Sequence, residues 1–234
     1  MRTFNTNHLF KPWLISLSNL IFPPLCSGCK NPLSSDEKWL CLSCETKLPV
    51  APYLLQNDNP IKALLNERIK LHFSSSFLLF TKNGIAQKLI HELKYKDNTQ
   101  VGEELGFMFG EALKGQIETP DAIIPIPLHP KKEKLRGYNQ SYFIAKGLAK
   151  SLQTAVDETL VKRVKENQSQ TSLSRFDRWE NVKDIFLCER SSDYKYIWLI
   201  DDTLTTGSTI ESCANAILKK NDVKLGIATL AFAY

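Results

Sequence analysis

Ile197-Trp198-Leu199-Ile200-Asp201-Asp202-Thr203-Leu204-Thr205-Thr206-Gly207-Ser208-Thr209 is the stretch that decides the fold. Ile197 to Ile200 form a short, unbroken apolar run, as expected of a central parallel strand covered on both faces. Asp201 and Asp202 stand at its carboxyl end. Thr205, Thr206, Gly207, Ser208 and Thr209 follow, and Ile210, Ala214, Ile217 and Leu218 then recur at helical spacing. The hydroxyl-rich turn therefore opens a helix. Free backbone N–H groups at a helix start, a glycine that permits close approach and several hydroxyl donors together suit a phosphate dianion. Two carboxylates beside that cradle would repel the phosphate itself, so they suit sugar hydroxyls or Mg2+, and adjacent carboxylates match the adjacent hydroxyls of a ribose 5-phosphate.

Outward from this stretch, strands and helices alternate. Strands are expected over 71–80, 121–126, 159–164, 196–200 and 223–230, and helices over 84–95, 101–114, 139–152 and 208–220. That alternation predicts an α/β fold with a parallel sheet covered on both faces, whose ligands bind beyond the carboxyl ends of the strands. Neither G-x-x-x-x-G-K-[ST] nor a strand followed by G-x-G-x-x-G occurs, which sets aside the common nucleotide-triphosphate and dinucleotide loops.

The 234-residue chain carries 30 Lys and Arg against 25 Asp and Glu, a net charge of +5. Residues 129 to 183 hold twelve of the former and six of the latter, so this window alone accounts for the excess and predicts an anionic ligand nearby. Within it, Lys131, Lys132, Lys134 and Arg136 follow the strand over 121–126, where prolines stiffen the turn, and form a second candidate anion site of the kind a departing pyrophosphate with Mg2+ requires. His91, Glu92 and His129 are the titrating candidates for a general base.

Cys26, Cys29, Cys41 and Cys44 form C-x2-C-x11-C-x2-C, the spacing of a tetrahedral site whose four thiolates leave no open position, so a structural Zn2+ is expected. Cys188 and Cys213 read as buried small residues. The region over 23–50 is expected to be a small zinc ribbon-like module, preceded by an amphipathic helix over 1–22 with Leu9, Trp13, Leu17 and Leu20 at helical spacing, and followed by a proline-rich linker. The N-terminal stretch lacks a signal cleavage site and is too short to span a bilayer, so a cytoplasmic protein without a membrane span is expected.

The apolar strand, acidic pair and T-T-G-x-T loop resemble the phosphoribosyl-pyrophosphate signature of type I phosphoribosyltransferases. With the four-cysteine ribbon, the segment PIPLHPKKEKLRGYNQ from Pro125 to Gln140, and RVKENQSQTSLSRFDRWENV over 163–182, the chain is similar throughout to the ComF family of competence-associated, phosphoribosyltransferase-like proteins. The resemblance implies that residues 61–234 form a type I phosphoribosyltransferase-like domain. It implies that Asp201 and Asp202 bind the ribose of phosphoribosyl pyrophosphate, that Thr205 to Thr209 wrap its 5-phosphate, and that Mg2+ accompanies the ligand. It further implies a flexible hood with Arg163, Gln170 and Arg178, closing over the substrate. Thr203 stands where such proteins often carry an aliphatic residue, and Asn167 where a threonine is usual. Two readings follow: a Mg2+-dependent phosphoribosyltransferase of unnamed acceptor acting in competence and DNA uptake, or a non-catalytic module that binds single-stranded DNA or competence and recombination proteins. Tyr138, Tyr142, Phe143, Phe176 and Trp179, interleaved with the basic residues, are the candidate base-stacking aromatics of the second.

Overall fold

The computed structural model describes residues 22–165 and 185–233. All but the last residue of the expected N-terminal helix, and Asn167, Gln170, Phe176, Arg178 and Trp179 of the hood, lie outside them. Two compact units divide the chain between Leu48 and Pro49.

In the first unit, Leu25 pairs with Pro32 in an antiparallel bridge. The Cys26 N–H donates to Asn31 C=O at 2.8 Å and Lys30 N–H returns to Cys26 C=O at 2.9 Å. Lys30, at φ +64°, makes the tight turn that ends this first knuckle. The second knuckle runs into the single turn α1 (Leu42–Glu45), which starts directly after Cys41. The Glu37 carboxylate ties the intervening loop by accepting from Ser34 N and Leu42 N, each at 2.8 Å.

The second unit contains α2 (Pro60–Leu65), β1 (Phe73–Leu79), α3 (Ile85–Tyr95), α4 (Thr99–Leu113), β2 (Ala122–Pro125), α5 (Pro130–Arg136), α6 (Gln140–Leu152), β3 (Ala155–Val156), β4 (Val161–Arg163), β5 (Phe186–Cys188), β6 (Tyr196–Leu204), α7 (Ser208–Leu218) and β7 (Lys224–Phe232). Five strands form a parallel sheet in the order β1-β7-β6-β2-β3. The path from β2 through α6 leads outward to β3, while the path from β6 through α7 leads the opposite way to β7. Neighbouring strands whose connections diverge leave a crevice at their carboxyl ends, so β2 and β6 flank the topological switch point.

Both sheet faces are covered, as the unbroken apolar run predicts. On one, Ile61, Leu65, Ile210, Cys213, Ala214 and Ile217 of α2 and α7 pack with Ile197, Leu199, Leu225 and Ile227. Each such side chain contributes roughly 2 kcal/mol when fully buried. Elsewhere α4 and α6 meet backbone to backbone. A Cβ on Gly147 would stand 1.9 Å from Glu103 C=O, and one on Gly106 would stand 2.2 Å from Ile144 C=O, so only glycine permits this approach.

Two expectations differ from the structure. The stretch expected as a linker belongs to the second unit: Ala51 N–H donates to Phe77 C=O at 2.9 Å, Leu79 N–H to Pro49 C=O at 2.8 Å, and Asn59 caps α2 while its amide donates to Ser74 C=O at 2.7 Å. Its prolines do not interrupt packing: Pro60 opens α2, and Ala51, Tyr53 and Leu54 are buried. The expected strand over 159–164 leaves the main sheet and pairs antiparallel with β5. Asp157 causes this: its carboxylate accepts from Thr159 N and Oγ1 at 2.8 and 2.7 Å, turning the chain away after the two-residue β3. Among the described residues no helix is long and apolar enough to cross a membrane.

Candidate functional site

The sequence-derived strand end at Ile200 understates β6, which continues to Leu204 beside β7. On its other side β2 stops, with Pro125 opposite Ile200. Asp201 and Asp202 therefore lie on an edge of β6 that β2 no longer covers, and the start of α6 fills that position. Successive residues of a strand point to opposite faces. The start of α6 nonetheless reaches both acids, Gln140 donating to Asp202 and Ser141 to Asp201.

Asp202 is 4% exposed. Its Oδ1 meets Lys94 Nζ from α3 at 2.6 Å, and its Oδ2 accepts from Gln140 Nε2 at 2.5 Å. Asp201, only partly buried, accepts through Oδ1 from Ser141 Oγ at 3.1 Å and from Asp202 N at 2.9 Å. Burial, and then the charge of Asp202, push the Asp201 carboxyl up to about 7. Its charge in turn reaches α7, where burial first and Asp201 second raise the Cys213 thiol. The positive end of the α6 dipole faces both acids and offsets part of their repulsion.

The segment Arg136-Gly137-Tyr138-Asn139-Gln140-Ser141 builds this arrangement residue by residue. Gly137, at φ +85°, terminates α5. The Tyr138 hydroxyl donates to Leu93 C=O, holding the end of α3 in place. Asn139 caps α6 by accepting from Ser141 N at 3.0 Å and donates to Ile126 C=O at 3.1 Å. Gln140 and Ser141 then reach the two acids. Arg136 lies 5.5 Å over the Tyr95 ring, and its Nη1 is buried without a hydrogen-bond partner among the described residues.

After β6 the chain turns through Thr205 and Thr206, both exposed, into Gly207 at φ +77°, the start of α7. A Cβ there would be left-handed and would stand 2.5 Å from Leu65 Cδ2. Ser208 is exposed, Thr209 partly so, and Thr206 Oγ1 lies 3.2 Å from Ser208 Oγ. Arg68, absent from the sequence-derived set, donates to Thr206 C=O at 3.1 Å and pairs with Glu211 at 3.4 Å, fixing the turn from outside.

The basic residues expected in a loop lie instead on α5, where His129 accepts from Lys131 N at 3.3 Å as the N-cap. Pro130 in the first turn and Gly137 just past the end were signals for that helix. Lys131, Lys132 and Lys134 are exposed, and Leu135 is 90% exposed. His91 lies against the Tyr95 ring at 4.9 Å. Tyr138, Tyr142 and Phe143 are half-buried and pack edge-on against one another. Arg163 closes β4 with its guanidinium 5.4 Å over Phe186, so β4 and β5 form the stem from which the expected hood departs.

In the first unit, the Sγ atoms of Cys26, Cys29, Cys41 and Cys44 all lie within 4.8 Å of one another, and Cys29 and Cys41 approach to 3.7 Å. A tetrahedral Zn2+ with bonds of about 2.3 Å separates its sulfurs by about 3.8 Å, so the cluster fits that ion. All four are free of disulfides. Burial opposes ionisation of Cys26, but N–H groups of Cys29, Cys41 and Gly28 outweigh it and lower the thiol to about 6.

No known family model matches the chain. Among curated proteins, Competence protein F of Haemophilus influenzae is 26% identical over 221 residues, 89% of this chain and 96% of that protein. The DNA utilization protein YhgH of Salmonella typhimurium is 30% identical over 136 residues, 56% of this chain and 60% of that protein. Competence protein ComFC of Bacillus subtilis is 24% identical over 203 residues, 80% of this chain and 81% of that protein. Among solved structures, the glutamine phosphoribosylpyrophosphate amidotransferase from B. subtilis complexed with ADP and GMP aligns over 59% of this chain and 30% of that chain, with 14% identity and a TM-score of 0.40. Over most of its length, then, the chain is similar to curated competence proteins, and it combines a four-cysteine cluster with a parallel α/β sheet.

Proposed function

We propose that this protein binds phosphoribosyl pyrophosphate with Mg2+ at the β2/β6 crevice and serves competence, in the handling of incoming single-stranded DNA. The observation that carries the reading is the meeting, at one switch point, of a hydroxyl-lined helix start with a carboxylate. Thr205, Thr206, Ser208 and Thr209 would take the 5-phosphate through hydroxyl and backbone N–H donors, with Gly207 supplying the left-handed turn that opens α7 between them. Asp201, whose hydrogen bonds to Ser141 and Asp202 both use Oδ1, would accept from a ribose hydroxyl through Oδ2. Lys131, Lys132, Lys134 and Arg136 would face the pyrophosphate. Arg163, Gln170 and Arg178 would close over the ligand and exclude water, which protects an oxocarbenium-like transition state from hydrolysis.

Mg2+ would come with the ligand, held by pyrophosphate oxygens and water, and would neutralise charge on the departing group. A Zn2+ held by Cys26, Cys29, Cys41 and Cys44 would be structural. The names of the relatives, competence and DNA utilization, support the biological side of the reading.

Phosphoribosyl pyrophosphate with Mg2+ at a hundredfold excess over its Kd should stabilise the protein by about 2.7 kcal/mol, seen as a rise in Tm. No rise at millimolar ligand would refute the site. Release of pyrophosphate, measured with and without candidate acceptors, distinguishes turnover from binding.

The exposure of Lys131, Lys132 and Lys134 on one short helix favours a second reading, contact with a single-stranded DNA backbone. Replacing all three by Ala should then weaken DNA binding and flatten its dependence on salt by up to about two units of log–log slope. An unchanged slope excludes α5 from the contact.

A further inference from the structure

Lys94 belongs to no motif, yet it makes the closest charged contact in the crevice. Its ammonium is 2.6 Å from Asp202 Oδ1, and its side chain is 23% exposed where that of Asp202 is 6% exposed. Gln140 occupies the other carboxylate oxygen. Both Asp202 oxygens are thus engaged by protein groups. An ammonium has three N–H donors, so Lys94 keeps two beyond this pair and a solvent-facing surface through which to use them. The turn that carries it is held on either side, by the Tyr138 hydroxyl on Leu93 C=O and by the Arg136 guanidinium over the Tyr95 ring. Arg136 in turn holds a buried Nη1 without a hydrogen-bond partner among the described residues. Two cations are therefore fixed around the end of α3, one by a buried carboxylate and one by an aromatic ring, and both have donors to spare.

We propose that Lys94 is a direct ligand of the pyrophosphate group and that Asp202 positions it. The inference rests on the phosphoribosyl pyrophosphate reading and deepens it, adding a cation on α3 to the groups that meet the ligand. Fixing the ammonium in advance lowers the side-chain entropy lost on binding.

Isothermal titration of the full chain with Mg2+-pyrophosphate, ribose 5-phosphate and phosphoribosyl pyrophosphate tests it. Lys94→Met should weaken pyrophosphate and phosphoribosyl pyrophosphate by about tenfold or more while leaving ribose 5-phosphate within about twofold, and Lys94→Arg should recover most of the loss. Asp202→Asn should act in the same direction. Because Lys94→Met leaves a buried carboxylate unpaired, the double variant Lys94→Met/Asp202→Asn restores neutrality and is read beside it; Asp202→Asn should add no further loss on pyrophosphate. Wild-type pyrophosphate affinity in the folded double variant overturns the inference, as does an equal loss for ribose 5-phosphate. If the unaltered protein binds neither sugar phosphate, it is the underlying reading that fails.

Discussion

Asp201→Asn is expected to melt higher than the unaltered protein at pH 8 and to lose about half of the stabilisation that phosphoribosyl pyrophosphate gives at a hundredfold excess over the unaltered protein's Kd. Burial and the neighbouring Asp202 charge raise the folded-state value of this carboxyl to about 7, against 3.8 for a free one. Between those values the folded protein holds a proton that the unfolded chain has released, so the unaltered protein loses stability as pH rises from about 4 to about 7. Above that window the ionised carboxylate costs on the order of 3 kcal/mol, or roughly 5–10 °C in Tm for a protein of this size. Asparagine keeps the acceptor oxygen used by Ser141 Oγ and Asp202 N. It removes the charge, so the variant should gain little near pH 4 and most at pH 8.

On the proposed reading the same change would convert a charge-assisted hydrogen bond to ribose into a neutral one, a loss of about 1–2 kcal/mol and about tenfold in affinity. Thermal melts of both proteins at pH 4.5 and 8, with and without ligand and Mg2+, provide the check. A variant that melts below the unaltered protein at pH 8 would show that Asp201 stabilises the fold, and full retention of ligand response would remove it from the ribose site.

The second large effect concerns the metal cluster. Among the described residues of the first unit only Cys26, Ser27, Gly28, Leu40 and Cys44 are buried, so two of the five are thiols of the cluster and just one is a large apolar side chain. An apolar core that small cannot offset the entropy of ordering some 25 residues at roughly 1–2 kcal/mol each. A Zn2+ held by the four thiolates would provide the balance, as in small domains whose folding is coupled to metal. Metal analysis should find one zinc per chain. Strong chelation at neutral pH, or Cys44→Ser, should abolish amide protection over residues 22–48 while strands β1, β2, β6 and β7 keep theirs. Persistent protection at Cys26 and Leu40 after complete zinc removal would contradict a metal-dependent fold.

Much of this organisation is legible in the sequence because it is written over short distances. The apolar run of β6, the glycine and hydroxyls opening α7, the four-cysteine spacing and the helical periods of α3, α4 and α6 each lie within a few turns of chain, and local geometry enforces them. Such patterns establish the α/β class, the hydroxyl-rich turn that opens α7 and the four-cysteine module. What they leave open is which side chains face one another across the sheet. Lys94 and Asp202 are brought together only when β2 stops at Pro125 and α6 takes its place beside β6. Gln140 meets Asp202 from 62 residues away for the same reason. The length of β6 also waits on tertiary structure, since only pairing with β7 extends it past Ile200. Side-chain partnerships of this kind depend on sheet order and strand length, which arise from burial summed over the whole core and not from any local stretch.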